Sequence, residues 1–215
     1  MPRIALIHAL AHSMAPVNAA FERDWPGATR MNVLDDSLSA DLARSGTGLD
    51  AAMHERFQRL AQYAIDAGAD AILFTCSAFG PCIDAVARRH GSVPVLKPNE
   101  AMIDEAARGS GRIGLIATFA PTLASMPAEF PPGVELDAAL ADGALDALNA
   151  GDPLRHDELI AAEARRLRER GCSRIALAQF SMARARAACE AASLLPVLTT
   201  VDSALRKIRA RLGAA

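Results

Sequence analysis

Aromatic side chains are scarce, at 4% of the sequence, and no apolar run approaches the ~18 residues of a membrane span. With a hydrophobic content of 51%, the core is expected to be aliphatic and rich in alanine, which suits buried parallel strands. An excess of one charge is missing too. The 23 basic and 25 acidic side chains leave a net charge of −2, so nothing calls for nucleic acid or an anionic membrane surface. Cysteine is sparse: none of the four shows the Cys-x-x-Cys or Cys/His spacing of a zinc site, so no structural metal is expected. No segment is of low complexity. Small-molecule chemistry is the class left standing.

Arg3 followed by the apolar stretch Ile4 to Ala11 has the outline of a short export signal. His8 and His12 interrupt it, however, and Arg3-Ile4-Ala5-Leu6-Ile7 has an internal counterpart in Arg112-Ile113-Gly114-Leu115-Ile116. The stretch is therefore read as a first strand, the expected location as cytoplasmic, and the four cysteines as free thiols.

That counterpart is one of three. Gly68 to Ala78 aligns with Gly171 to Ser181, which sets Gln179 opposite Cys76, and Val93-Pro94-Val95-Leu96 aligns with Leu195-Pro196-Val197-Leu198. The three matches keep their order and nearly their spacing. At 215 residues the chain then reads as two similar α/β lobes of roughly 100 residues each. The first is expected over 1–97 with 200–215 returning to it, and the second over 98–199, with Lys97-Pro98 as the break.

Strand alternates with helix throughout, which predicts parallel sheets and right-handed crossovers. Strands are expected at Arg3–Ile7, Ala28–Leu34, the run from Ala71 to the Thr75-Cys76-Ser77 triplet, Val93–Leu96, Arg112–Thr118, near Val134–Leu136, in the run that leads to Gln179, and at Pro196–Leu198. Leu49 to Ala67 has helical periodicity, with Met53, Phe57, Leu60, Ala61 and Ala64 on one core-facing side. Gly68 ends it. His156 to Arg170 reads as a charged helix with a solvated face, and Thr200 to Leu212 as a closing helix.

The chemistry centres on Ala71-Ile72-Leu73-Phe74-Thr75-Cys76-Ser77-Ala78-Phe79-Gly80-Pro81. A buried strand ends at a polar triplet and a helix with Pro81 in its first turn follows, which is where α/β proteins place reactive groups. Helix N–H groups near Cys76 would favour its thiolate, the form that acts as nucleophile or base. The plainer reading of Cys76 is a small buried hydrophobe.

The residues in order resemble the aspartate/glutamate racemase superfamily, which includes hydantoin racemases, maleate isomerases and arylmalonate decarboxylases. The likeness covers nearly the whole chain: two lobes, the Thr75-Cys76-Ser77 strand end, and Ile113-Gly114-Leu115-Ile116-Ala117-Thr118 opening the second lobe. It implies an active site between the lobes and cofactor-free chemistry at the carbon next to a carboxylate, on a small organic or amino acid. The resemblance allows a homodimer, since relatives are commonly dimers. Where such racemases carry a second cysteine, this chain has Ala178-Gln179-Phe180-Ser181-Met182, and an amide cannot titrate. Racemisation by two thiols is excluded on that reading. A decarboxylase ranks below a racemase or isomerase, because the superfamily's decarboxylases keep their single cysteine in the second lobe. A binding protein that captures an organic acid without turning it over is the rival from another class.

Cys76 and His8 are the expected catalytic residues, with Thr75, Ser77, Thr118, Thr122, Gln179, Phe180 and Ser181 binding substrate. His8 ends the first strand, where it would pair with the thiol or be satisfied by backbone. Thr75 and Ser77 offer hydroxyl and N–H groups to a carboxylate or merely cap a helix. Gln179 either donates to a substrate oxygen, with Ser181 helping, or plugs a site that has lost its activity. Thr122 doubles as a helix N-cap. His12 and Ser13 are weaker loop candidates, while His54, His90 and His156 read as helix-surface residues.

Overall fold

Two four-stranded parallel sheets, with buried apolar inner strands and half-exposed strands at one edge of each, make up a computed structural model that describes residues 1–213. The chain divides into two compact units, Met1–Pro98 with the stretch from Ala204 onward, and Asn99–Ser203.

In the first unit β1 (Arg3–His8), β2 (Thr29–Leu34), β3 (Ala71–Phe74) and β4 (Val95–Leu96) lie in the order β2-β1-β3-β4. The register pairs Ile4 with Ala71 and Ile7 with Phe74, so β1 and β3 end side by side. Helices α1 (Met14–Asp24), α2 (Ser37–Ser45), α3 (Ala51–Asp66) and α4 (Gly80–Arg89) connect the strands. Asp50 starts α3 by accepting the Met53 N–H, and the periodic face then buries Met53, Phe57, Ala61 and Ala64. Phe57 stacks on Phe74 at 5.2 Å and meets Phe79 at 4.9 Å, so three of the few aromatics form one cluster beneath the end of β3.

The second unit repeats the plan. Its strands β5 (Ile113–Ala117), β6 (Leu136–Leu140), β7 (Arg174–Leu177) and β8 (Val197–Thr199) lie in the order β6-β5-β7-β8. Helices α5 (Glu100–Ala107), α6 (Ala120–Ser125), α7 (Ala144–Asn149), α8 (Pro153–Glu169) and α9 (Arg186–Ser193) surround them. Gly114 in β5 has no room for a side chain, since a Cβ would sit 2.9 Å from Leu167 and Ile175 methyls. Gly68 and Gly171, matched in the sequence alignment, both follow a helix with φ of +79° and +88°, a turn that favours glycine. The closing helix, α10, runs over Thr200–Arg211. Arg209 on it donates to the Asp24 carbonyl and lies over the Trp25 ring.

Three local expectations need correction. The strand expected near Val134–Leu136 runs instead over Leu136–Leu140, because the ladder with β5 pairs Ile113 with Leu136 and continues to Leu140. Its alanines carry little strand signal by themselves. His156 is buried rather than on the surface, its Nδ1 bonded to the Ala144 carbonyl at 2.8 Å. Thr122 is not an N-cap: α6 is capped at Phe119, whose carbonyl accepts the Thr122 N–H.

Candidate active site

Beyond Phe74 the β3 ladder continues for one residue, as the Thr75 N–H donates to the Ile7 carbonyl at 3.0 Å. Cys76 follows in extended conformation and heads a 3-10 turn over Ser77–Phe79. Burial of Phe79 in the aromatic cluster drives that turn. It delays α4 to Gly80, so the sulfur does not sit at the N-terminus of an α-helix. Cys76 is half-buried, whereas Cys82, Cys172 and Cys189 are buried, and all four thiols are free.

The environment of the sulfur overturns the expected easy thiolate. Burial pushes the Cys76 thiol up from its ordinary value, and the Ala78 N–H and Ser39 hydroxyl pull the other way without cancelling it. His8 gives no help as a base. Its ring is buried, with Nδ1 2.9 Å from the Thr75 hydroxyl and Nε2 3.0 Å from Asn32 Oδ1. Both nitrogens are thus engaged away from the sulfur. With Asn32 Oδ1 accepting from Nε2–H, Nδ1 is the acceptor for the Thr75 hydroxyl. Burial holds the His8 pKa below its usual value, against the bond to Asn32, so the ring stays neutral. The Thr75 hydroxyl is therefore committed to His8, while Ser77 is half-buried at the start of the turn.

The second unit shows the same construction around an amide. Ala178 donates to the Ile116 carbonyl at 2.9 Å, as Thr75 does to Ile7. Gln179 then takes the extended conformation and heads a 3-10 turn over Phe180–Ala185. Its Oε1 accepts both the Thr118 N–H at 2.7 Å and the Thr118 hydroxyl at 3.0 Å. This fixes the amide so that its NH2 is the end left available. Phe180 is buried in the core, and Thr122 is buried within α6. The Ser181 hydroxyl is buried with no hydrogen-bond partner among the described residues, as is the Thr200 hydroxyl that follows β8. Among the described residues no group of three or more His, Cys, Asp or Glu side chains is placed to hold a metal ion.

The sequence matches the Asp/Glu/hydantoin racemase family over residues 11–208. The chain belongs to that family. Its fold is shared by an aspartate racemase homologue from Pyrococcus horikoshii, with a TM-score of 0.73, 18% identity and all of both chains covered. Allantoin racemase from Klebsiella pneumoniae matches at 0.69 and 19% identity, over 100% of this chain and 90% of that one. The maleate isomerase Iso from Pseudomonas putida matches at 0.67 and 17% identity, over 99% and 93%. No curated protein matches the sequence.

Within this racemase-family chain, sequence reasoning missed the residues that surround the expected ones. Asn32 holds His8, and the Ser39 hydroxyl, which donates to the Ala9 carbonyl, pulls the Cys76 thiol down against burial. Neither has a local signal. What could have found them is topology: β2 neighbours β1, so the segment after it arrives at the end of the sheet where Cys76 stands.

Proposed function

We propose that the protein is a cofactor-independent racemase or isomerase acting at the carbon next to the carboxylate of a small organic or amino acid, with Cys76 as the reacting group. The observation that supports this best is the repeated strand-end construction, which in the first unit leaves one half-buried thiol at the carboxyl end of a parallel sheet. The chain also belongs to a family of racemases. In the second unit the Gln179 NH2 and the Ser181 hydroxyl are donors suited to a carboxylate, with Thr118 orienting the amide.

A raised thiol pKa shapes the chemistry. At neutral pH the resting group is S–H, so turnover runs through its thiolate fraction. The thiolate removes the proton from that carbon, forming S–H, and the C–H electron pair is taken up by the carboxyl group as an enediolate. The enediolate pair then takes the proton back from S–H, a C–H bond forms, and the thiolate is regenerated. Gln179 does neither, as an amide does not titrate. For an unsaturated acid the thiolate adds to one carbon of the double bond and the π pair moves to the other; rotation about the resulting single bond, return of that pair and expulsion of the thiolate give the other geometric isomer.

One incubation tests the proposal. The protein and its Cys76→Ser variant are mixed with a panel of small carboxylic acids in heavy water, following deuteration, isomerisation and carbon dioxide release. Turnover by the parent that the variant loses supports it. The raised thiol pKa favours one rival, a protein that captures an organic acid without turning it over, for which binding without turnover in either form is the expected result.

A further inference from the structure

The doubled plan is not copied everywhere. The alignment that sets Gln179 opposite Cys76 also sets Arg174 opposite Ala71, and the third match sets Leu198 opposite Leu96. In the first unit Ala71, at the head of β3, and Leu96, on β4, are wholly buried. Their counterparts on β7 and β8 are only half-buried, and beside them lies a cavity of about 410 Å³. Glu105, Arg108 and Gly109 line it from the end of α5, Arg174 from the head of β7, and Pro196 and Leu198 from β8 and the residue before it. The cavity is separate from the strand end described above. Gln179 comes five residues after Arg174, which is about 17 Å of extended chain.

Arg174 is built into its place. Its Nη1 donates to the Ala106 carbonyl at 3.0 Å and its Nη2 to the Ser110 carbonyl, so the guanidinium spans the turn that contains Gly109. A Cβ on Gly109 would overlap that guanidinium, and the residue without a side chain is what gives it room. The two bonds use two of the five N–H groups of the fork and leave three. Arg108 brings a second cation to the same cavity. It is exposed, and its guanidinium has no hydrogen-bond or ion-pair partner among the described residues. Two guanidinium groups on one cavity repel each other until an anion lies between them, and planar forks suit a carboxylate.

The remaining walls narrow the ligand. Pro196 and Leu198 offer apolar surface, which suits a short hydrocarbon body. Glu105, whose Oε2 accepts the Ser203 hydroxyl at 2.7 Å, adds one negative charge, so a ligand with several charges meets repulsion there. We propose that this cavity is a second ligand site, one that binds a small aliphatic monocarboxylate with its oxygens on Arg108 and Arg174 and its hydrocarbon body on Pro196 and Leu198. The site stands on the lining of the cavity alone and does not depend on what Cys76 does.

The experiment is a titration of the whole protein with isovalerate, followed by the NMR shifts of its backbone amides, with isovaleramide and inorganic phosphate as the other two arms. Isovalerate is expected to shift the Gly109, Ser110 and Ser173 amides saturably in the millimolar range. Isovaleramide has the same shape without the charge and should bind at least about tenfold more weakly. Phosphate has no apolar body and sets more charge against Glu105, so it should bind about fivefold more weakly or worse. In R108Q, an exposed change that leaves both bonds of Arg174 in place, the isovalerate midpoint should rise about tenfold. G109A, which displaces the Arg174 guanidinium, should raise it as much. An R108Q midpoint equal to the parent's, or no saturable shift at Gly109 and Ser173, overturns the site, and R108Q decides alone if G109A fails to fold. Isovaleramide binding as well as the acid removes the two arginines from it; phosphate binding as well as isovalerate overturns the ligand class. The outcome is independent of the function proposed above. Shifts confined to Ala178 and Gln179 would sink the second site and leave that function standing, and saturable shifts at Gly109 and Ser173 in a protein that turns over no carboxylic acid would do the reverse.

Discussion

Thr118 directs two donors, its backbone N–H and its hydroxyl, onto a single oxygen of Gln179, at 2.7 and 3.0 Å. An amide free to rotate would present oxygen and nitrogen equally; this one has its oxygen taken and offers only N–H bonds outward. Gln179→Glu keeps a good acceptor for Thr118 but replaces the outward donor with a second carboxylate oxygen. The variant is expected to melt within a few degrees of the parent and to bind carboxylates at least about tenfold more weakly, through lost donors and like-charge repulsion. Calorimetric titration with an acid that the parent binds checks this, and undiminished affinity in the variant removes Gln179 from the binding role.

His8 gives a prediction at acid pH. Its folded pKa lies below the value of about 6.5 that it regains on unfolding. The unfolded chain therefore binds more protons as pH falls below that value, and stability drops with it. The contribution is complete above about pH 6.5 and is lost as pH falls through the lowered folded value. Urea midpoints at pH 5 and pH 7.5 should differ more in the parent than in His8→Gln. Equal differences would mean that the ring takes up its proton in the folded state without penalty.

Much of the plan was legible because its signals are local. Runs such as Ile4–Ile7 and Ile113–Ala117 mark strands by themselves, and their recurrence exposes the doubled plan. The position of Cys76 followed from a strand ending at a polar triplet. Its chemistry did not follow, because the 3-10 turn over Ser77–Phe79 depends on where Phe79 packs, and Phe57 supplies that packing from another element. His8 looked free to serve the thiol, yet its partners are Thr75, 67 residues away, and Asn32 on the neighbouring strand.

The aromatic cluster allows a sharp contrast on one helix. Phe57 is buried against Phe74 and Phe79, whereas Tyr63, six residues further along α3, is 60% exposed. Phe57→Ala is expected to cost about 3–5 kcal/mol, as large-to-small changes in cores do, and Tyr63→Ala about 0.5 kcal/mol or less. Because Phe79 closes the turn after Cys76, Phe57→Ala should also speed alkylation of that thiol at high pH. Denaturant unfolding gives the first pair of numbers and labelling the second. A Phe57→Ala protein as stable as Tyr63→Ala would show that the cluster is not what anchors the end of β3.

Alkaline pH should weaken the fold through its buried thiols. Burial, with Asp157 and Glu190 nearby, pushes Cys189 up to about 12, and burial with Asp50 pushes Cys82 up to about 11. In the unfolded chain both titrate near 8.5. A raised folded pKa contributes stability that is whole below the unfolded value and is lost as pH rises through the folded one, since the unfolded thiol gives up its proton first. Between pH 8 and pH 10.5 the parent should therefore lose stability that Cys189→Ala does not, although the variant starts lower for the small cavity it opens. Urea midpoints at the two pH values decide it. Parallel losses in parent and variant would mean that the Cys189 thiolate is tolerated inside the fold, contrary to the apolar contacts that α9 makes there.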